Sequence, residues 1–351
     1  MSTGVNSESD RPNNTVVVVI VSFRRPEDIV TCLASLQRGS FAAFEVIVVE
    51  NGGATAFDRL KATLSKTYCA EAAANLGPAP VANPKYAGKT LSRYDRVVFP
   101  GGQSVLLIDA GDNLGYAGAI NLALSCLSKE QHWRGVWILN PDTQPQDSAL
   151  QILVSYAENG GFGLVGCRIV DSVSKTIQMR GGARWLRLIG RSTSIGYGEP
   201  ANSPADTAKI ERRLQWISGA TTYATRKFIE SVGPMNEKYF LYCEDVDWSL
   251  RRGQFRLGYA HDAVVVHVGG TTTGSSHILG SRSNLAVYLT ERNKLMLTRD
   301  HFPLTYPLTV LASCATLIEY LLRGNWRVFV AGWRGWRAGL RGETGRPEHL
   351  L

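Results

Sequence analysis

Three carboxylates crowd into four positions of FLYCEDVDWSLRR, residues 240–252: Glu244, Asp245 and Asp247. Like charges this close raise one another's pKa unless a cation, hydrogen-bond donors or a helix N-terminus compensates. A helix starting here would hold acids in its first turn through its dipole, with Trp248, Leu250 and Arg251 continuing it. Equally, a carboxylate with a perturbed pKa suits proton transfer at a reacting hydroxyl. Two further stretches offer chemistry. Asn140-Pro141-Asp142 ends an apolar run, and His267 closes AVVVH before a Gly-Gly pair. Neutral imidazole suits divalent transition metals, so His267 is a candidate metal ligand, although packing is the commoner use of histidine. Asn and Asp after a strand also simply make turns.

The elements around these residues read as α/β. VVVVIVSF fits a strand buried on both faces, and RRPEDIVTCLASLQ follows with Pro26 in a first helical turn and Ile29, Leu33 and Leu36 at helical spacing. FEVIVVENGG supplies a second buried strand, so residues 16–50 predict a right-handed βαβ unit. Between 54 and 104 the pattern weakens into an insertion, part helix and part loop. VLLIDAGDN, a helix carrying Ile120, Leu124 and Leu127, and the strand of VWILNPDT restore regularity. Residues 212–267 predict a strand after Gly219-Ala220, a short helix from Thr225, the acidic cluster, and a last strand delivering His267 to its end.

Open α/β sheets bind ligands at the carboxyl ends of their strands. Here those ends carry Ser22 to Arg25, Glu50-Asn51 and Asn140 to Asp142. No GxGxxG follows the first strand and no P-loop is present, which disfavours hydride transfer and P-loop chemistry. Gly115 and Gly118 in NLGYAGAIN would let a backbone approach a nucleotide at a helix N-terminus.

The chain has 351 residues, 44% of them hydrophobic, enough for one large domain or two modest ones. Its net charge of +8 admits nucleic acid, an anionic membrane surface or phosphorylated ligands. Six scattered cysteines without CxxC spacing predict reduced thiols in a cytosolic setting and no zinc site. Residues 1–14 read as a disordered lead-in lacking signal-peptide character. After Phe302 the style changes. An apolar run over Leu304 to Leu322 contains Glu319, a poor spanning helix, and is followed by Trp326, Trp333 and Trp336 interleaved with Arg323, Arg327, Arg334, Arg337 and Arg341. That pattern suits either the interfacial zone of an anionic membrane or a helix pair packed on the catalytic domain or a homodimer partner.

In order, VVIVSFRRPEDI, VIVVENGG, NLGYAGAIN, ILNPDT, SGATTYATR, FLYCEDVDWSLR and HVGG resemble glycosyltransferase family 2, the inverting GT-A enzymes, and its bacterial rhamnosyltransferase-like branch. The likeness runs from about Val16 to His267 or Arg292. It implies a GT-A, Rossmann-like fold with a mixed, mainly parallel sheet flanked by helices. A catalytic domain would span 15–300, with a nucleotide-sugar half at 15–145 and an acceptor half at 146–300; a helical extension at 301–351 would follow.

The resemblance assigns roles residue by residue. Asp142 matches the last acid of the DxD-type metal motif, with Asn140 at its first position; Asp142 and His267 would hold Mn²⁺ or Mg²⁺. Asp245 matches the general base of the xED motif, with Glu244 as its catalytic neighbour, and Glu244 and Trp248 are acceptor-site candidates. Ser22, Glu50, Asp112, Asn113, Asn140 and Asp142 are donor-site candidates, with Glu50 where many relatives carry Asp. Arg292 matches a late position able to meet phosphate. Expected partners are a dTDP- or UDP-sugar, a glycan or polyprenyl-linked acceptor and the inner face of the cell membrane. Two other classes stay open: a nucleotidyltransferase-like enzyme, and a non-catalytic basic module for lipid or nucleic acid.

Overall fold

The computed structural model describes residues 15–68, 93–98, 104–127, 133–268 and 283–347. Strand β1 (Thr15–Ser22) is buried along almost its whole length, and the pleat divides its side chains between two cores. Val16, Val18 and Ile20 meet helices α1 (Pro26–Gln37), α2 (Ala54–Tyr68) and α4 (Ala149–Gly160). Val17, Val19 and Val21 meet α3 (Gly115–Leu127) and α6 (Arg226–Val232) on the other face. A run of β-branched residues is what such a doubly covered strand requires.

Strands β2 (Phe44–Glu50), β4 (Ser104–Asp109) and β5 (Trp133–Leu139) join β1 in the parallel order β4-β2-β1-β5. Beyond β5 the sheet continues through β12 (Thr221–Thr225), β7 (Phe162–Asp171) and β13 (Arg256–His267) to the short β6 (Thr143–Pro145). Strand β12 runs against both neighbours, whereas β13 is parallel to β7. The sheet is therefore mixed and mainly parallel, as the sequence predicts. The insertion holds more order than expected: besides α2 it contains β3 (Arg93–Val98), which pairs antiparallel with β4 at the sheet edge. Its weak alternation hides a strand that draws its register from β4.

Against the β7–β13 side of the sheet lie β8 (Ile177–Arg180), which pairs with β7, and a small sheet of β10 (Arg191–Ser194), β9 (Gly182–Leu186) and β11 (Trp216–Ile217). The short helices α5 (Thr207–Arg213) and α7 (Glu244–Leu250) complete it. Three helices finish the chain: α8 (Asn284–His301), α9 (Tyr306–Leu322) and α10 (Trp326–Arg341).

Helix α10 lies on α8 through its glycines. A Cβ on Gly335 would stand 2.2 Å from the Tyr288 carbonyl oxygen, and one on Gly339 would stand 2.8 Å from that of Arg292. Only hydrogen fits there. Thus one face of the tryptophan-arginine helix packs on the domain, while Trp326 and Trp333 stay exposed.

Candidate active site

The acidic cluster is delivered by a bent loop. Phe240, Tyr242 and Cys243 adopt left-handed φ angles of 64°, 70° and 75°, which non-glycine residues hold only under external constraint. The constraint is Asn293 of α8, whose side-chain amide donates to the carbonyls of Tyr239, Leu241 and Tyr242 at 3.0, 2.8 and 2.8 Å. Arg292 adds a bond to the Tyr239 carbonyl at 2.9 Å, and the Tyr116 amide donates to the Phe240 carbonyl at 2.7 Å. Arg292 is 1% exposed and also bonds the Gly345 carbonyl, so it serves as a structural clamp and not as the expected phosphate contact.

At the end of that loop the three acids separate in purpose. Asp247 is spent on structure: Arg251 Nε stands 2.7 Å from one oxygen, and His301 Nε2 is 2.8 Å from the other. Burial pushes its pKa up, but the bond to His301 and the Arg251 charge bring it below the usual range. Asp245 accepts the Gly219 amide at Oδ2 (2.9 Å) and the Val246 amide at Oδ1 (2.8 Å). Its pKa is raised by burial and held back by those donors. Glu244 is buried, its Oε2 has no hydrogen-bond partner, and burial followed by the Asp245 charge raises its pKa well above the carboxylate range. A buried pair with unequal donors divides its protons unequally. The donors favour ionisation of Asp245 over that of Glu244.

A cleft of about 640 Å³ opens in front of them, lined among others by Tyr116, Asn140, Trp185, Trp216, Thr290 and Lys294. Lys294 is buried beside Glu291, 2.5 Å away. The Tyr116 hydroxyl donates to the Gly219 carbonyl (2.6 Å) and lies 3.2 Å from Asn140 Oδ1, tying the end of β5 to the turn before β12. Burial first, then the charges of Glu244, Asp245 and Asp142, raises its pKa well above the phenol range. Tyr116 thus lies within reach of carboxylates from both the β5 end and the start of α7.

The second cluster arises from register. Pairing of β13 with β6 sets His267 opposite Thr143, and its Nε2 lies 3.2 Å from Asp142 Oδ1. The ring's Nδ1 is 2.8 Å from Gln178 Oε1 on β8. With Nδ1 donating to Gln178, the ring is held with Nε2 turned toward the carboxylate, as the ligating nitrogen of a metal-bound histidine would be. Among the described residues no group of three or more His, Cys, Asp or Glu could hold a metal ion. Asp142 and His267 by themselves offer one oxygen and one nitrogen donor, so a divalent cation held there would need its remaining ligands from diphosphate oxygens and water.

Other expected site residues serve the scaffold. Ser22 and Glu50 are wholly buried: Glu50 accepts from Ser22 Oγ (2.5 Å) and from the amides of Arg24 (3.1 Å) and Gly52 (2.8 Å), so it shapes the first loop and does not face the cleft. Asn113 accepts the Gly115 amide at the start of α3 and the Asn51 side-chain amide. Asp112 is exposed and paired with Arg346 at 2.6 Å. Trp248 is corrected outright. It is 1% exposed, donates to the Gly233 carbonyl and stands edge-on to Phe228, because its helix turns it into the core and away from the acceptor side.

Tyr116, Gln178 and Asn293 were not singled out by sequence reasoning. Tyr116 sits inside the quoted NLGYAGAIN stretch, which was the available signal; Gln178 and Asn293 carried none, because each acts through partners far away in the chain.

No protein-family model matches the chain. It is similar to N-acetylglucosaminyl-diphospho-decaprenol L-rhamnosyltransferase of Mycobacterium tuberculosis, 28% identical over 210 residues, 54% of this chain and 68% of that one. It is also similar to the low-salt glycan biosynthesis hexosyltransferase Agl10 of Haloferax volcanii, 21% identical over 69% of this chain and 78% of the relative. Among solved structures it is similar to the mannosyltransferase PcManGT from Pyrobaculum calidifontis in complex with GDP-Man and Mn²⁺, with 13% identity, a TM-score of 0.48, and 95% and 86% of the two chains covered. S. aureus TarS 1-349 in complex with UDP-GlcNAc is similar at 12% identity and a TM-score of 0.46, over 94% and 92% of the chains.

The sheet, the acids at its strand ends and the sequence relatives define the class: the chain is a glycosyltransferase with a GT-A-like fold. Within that class its likeness is to glycosyltransferase family 2, on the side of the rhamnosyl- and hexosyltransferases.

Proposed function

We propose that this chain is a metal-dependent inverting glycosyltransferase that moves a sugar, rhamnose by its relative, from a nucleoside diphosphate to a hydroxyl of a lipid-linked glycan. The observation that carries this reading is Asp245 lining the cleft, held by two backbone amides, with Glu244 beside it lacking a partner at Oε2. A single base that faces a bound acceptor is what direct displacement at an anomeric carbon needs.

In this reading Asp245 takes the proton from the attacking hydroxyl as the oxygen approaches the anomeric carbon. Glu244, neutral, donates a hydrogen bond to the acceptor and adds no second negative charge. Tyr116 fixes Asn140 and Gly219 relative to each other, so the base and the donor end of β5 keep one spacing. Asp142 and His267 would hold the divalent ion, with Gln178 orienting the imidazole. When bound, Mn²⁺ or Mg²⁺ offsets the charge of the departing nucleoside diphosphate. The loop of Ser22 and Glu50 supports the donor from behind. The protein would work peripherally at the cytoplasmic face of the membrane, its helical extension beside the lipid-linked acceptor.

The test is calorimetric titration of dTDP, UDP and GDP with and without Mn²⁺, followed by product analysis with the nucleotide that binds. Metal-dependent binding of one nucleotide, lost in Asp142→Ala, and nucleoside diphosphate as product are expected. Pyrophosphate as product would instead make the chain a nucleotidyltransferase.

A further inference from the structure

Besides Pro303 and Pro307, exposed apolar residues on and just before α9 fall at Leu304, Leu308, Leu311, Ala315, Ile318, Leu321 and Leu322. Steps of three and four connect them, so on a helix they form one continuous stripe. The opposite face, with Thr309, Ser313, Thr316 and Leu317, is buried against the domain. The β9–β10 turn, which packs on that buried face, itself exposes Leu186, Leu188 and Ile189. The two are fastened together. Thr309 Oγ1 donates to the Arg187 carbonyl (3.0 Å), Arg191 donates to Thr316 Oγ1 (2.9 Å), and Gly190 lies so near that a Cβ would stand 2.7 Å from the Thr309 methyl.

The cleft reaches these same elements: Gly190, Arg191, Glu319 and Arg323 are among the residues that line it. Exposed apolar residues stand next in the chain to three of the four, Ile189 beside Gly190, Ile318 beside Glu319 and Leu322 beside Arg323. Charged lining and exposed hydrocarbon thus come from the same two segments.

Charge selects the occupant. From Tyr306 to Arg341 the chain carries five arginines against one acid, Glu319, which pairs with Arg323 at 2.6 Å. Trp326, Trp333 and Leu340 recur on an exposed face of α10, each followed by an exposed arginine. A second copy docking about a two-fold axis would set these arginines against one another. An anionic lipid surface answers both the hydrocarbon and the charge.

We propose that α9 and the β9–β10 turn form the surface by which the protein lies on an anionic bilayer, with the mouth of the cleft at headgroup level. This rests on the proposed function only for what enters the cleft. The segment Pro303–Leu322 is long and apolar enough to cross a membrane. Crossing would strip Thr309 and Thr316 of the bonds that fix the helix to the domain, so α9 lies in the plane of the interface.

The experiment is co-sedimentation of the full chain with phosphatidylglycerol–phosphatidylcholine vesicles and with pure phosphatidylcholine vesicles, in the absence of donor and acceptor. Wild type binds the anionic vesicles preferentially. Leu308→Glu/Leu311→Glu/Ile318→Glu loses ~tenfold or more in partitioning, and Arg327→Glu/Arg334→Glu loses the preference for anionic lipid. Both variants keep the wild-type melting temperature and nucleotide binding. The proposal is overturned if wild type ignores anionic vesicles, or if the triple variant binds them as wild type does. It is equally overturned if that variant only turns a dimer into a monomer, which would make the stripe a subunit interface. Vesicle binding is read without turnover, so failure of the transferase reading would leave this result standing.

Discussion

The backbone amide of Gly219 donates to Oδ2 of Asp245 at 2.9 Å, joining the turn before β12 to the first turn of α7. Together with the Val246 amide it stabilises the carboxylate where burial alone would protonate it. Asp245→Asn keeps an acceptor oxygen for Gly219 but cannot take a proton. Sugar transfer should fall by ~10²–10⁴-fold with donor binding unchanged. Turnover within a few-fold of wild type would remove Asp245 from the base role.

Glu244 gives a pH signature. Its folded-state pKa lies well above the value of an exposed glutamate, so the native state holds a proton that the unfolded chain releases. Its effect on stability is therefore neutral below the ordinary glutamate range and turns unfavourable as pH rises through that range toward the folded pKa. In Glu244→Gln this burden is gone. The melting temperature of the variant relative to wild type should rise from about pH 5 to about pH 8. A constant difference across that range would show that Glu244 ionises normally.

Gln178 touches no proposed ligand, yet it orients the ring of His267. Gln178→Leu should weaken Mn²⁺-dependent nucleotide binding by ~10–100-fold while leaving metal-free binding and the melting temperature near wild type. Calorimetry with and without Mn²⁺ separates the two. Equal loss in both conditions would mean that Gln178 supports the fold and not the metal.

Asn293 holds the left-handed loop that presents Asp245. Asn293→Ala removes this donor from the Leu241 and Tyr242 carbonyls, while that of Tyr239 keeps Arg292, and should cost about 1–3 kcal/mol in urea unfolding. The same variant should lower kcat more than it raises the donor KM, because the misplaced group is the base. Asn293→Asp, which keeps the shape but supplies no donor, should not rescue it.

Gly335 sits where α10 crosses α8. Gly335→Ala should destabilise by about 1–3 kcal/mol through overpacking against the Tyr288 carbonyl, measured by thermal or urea unfolding. An unchanged midpoint would mean that the two helices separate freely in solution.

Local pattern determined much of this protein. The valine run of β1, the helical spacing of Ile29, Leu33 and Leu36, and the acids after β5 are all readable in short windows, because periodicity and turn chemistry act between near neighbours. The order of those windows also carried the family likeness and singled out Asp142, Asp245 and His267. Tertiary structure decided what those residues meet. The contact of His267 with Asp142 follows from β13–β6 register, and Gln178 reaches the same ring across 89 positions of chain. Equally nonlocal are the burial that turned Trp248 and Arg292 into scaffold, the edge strand β3, and the Gly219 amide that favours ionisation of Asp245. Register, burial and the supply of hydrogen-bond donors depend on which distant segments pack together, and no short stretch of sequence contains them.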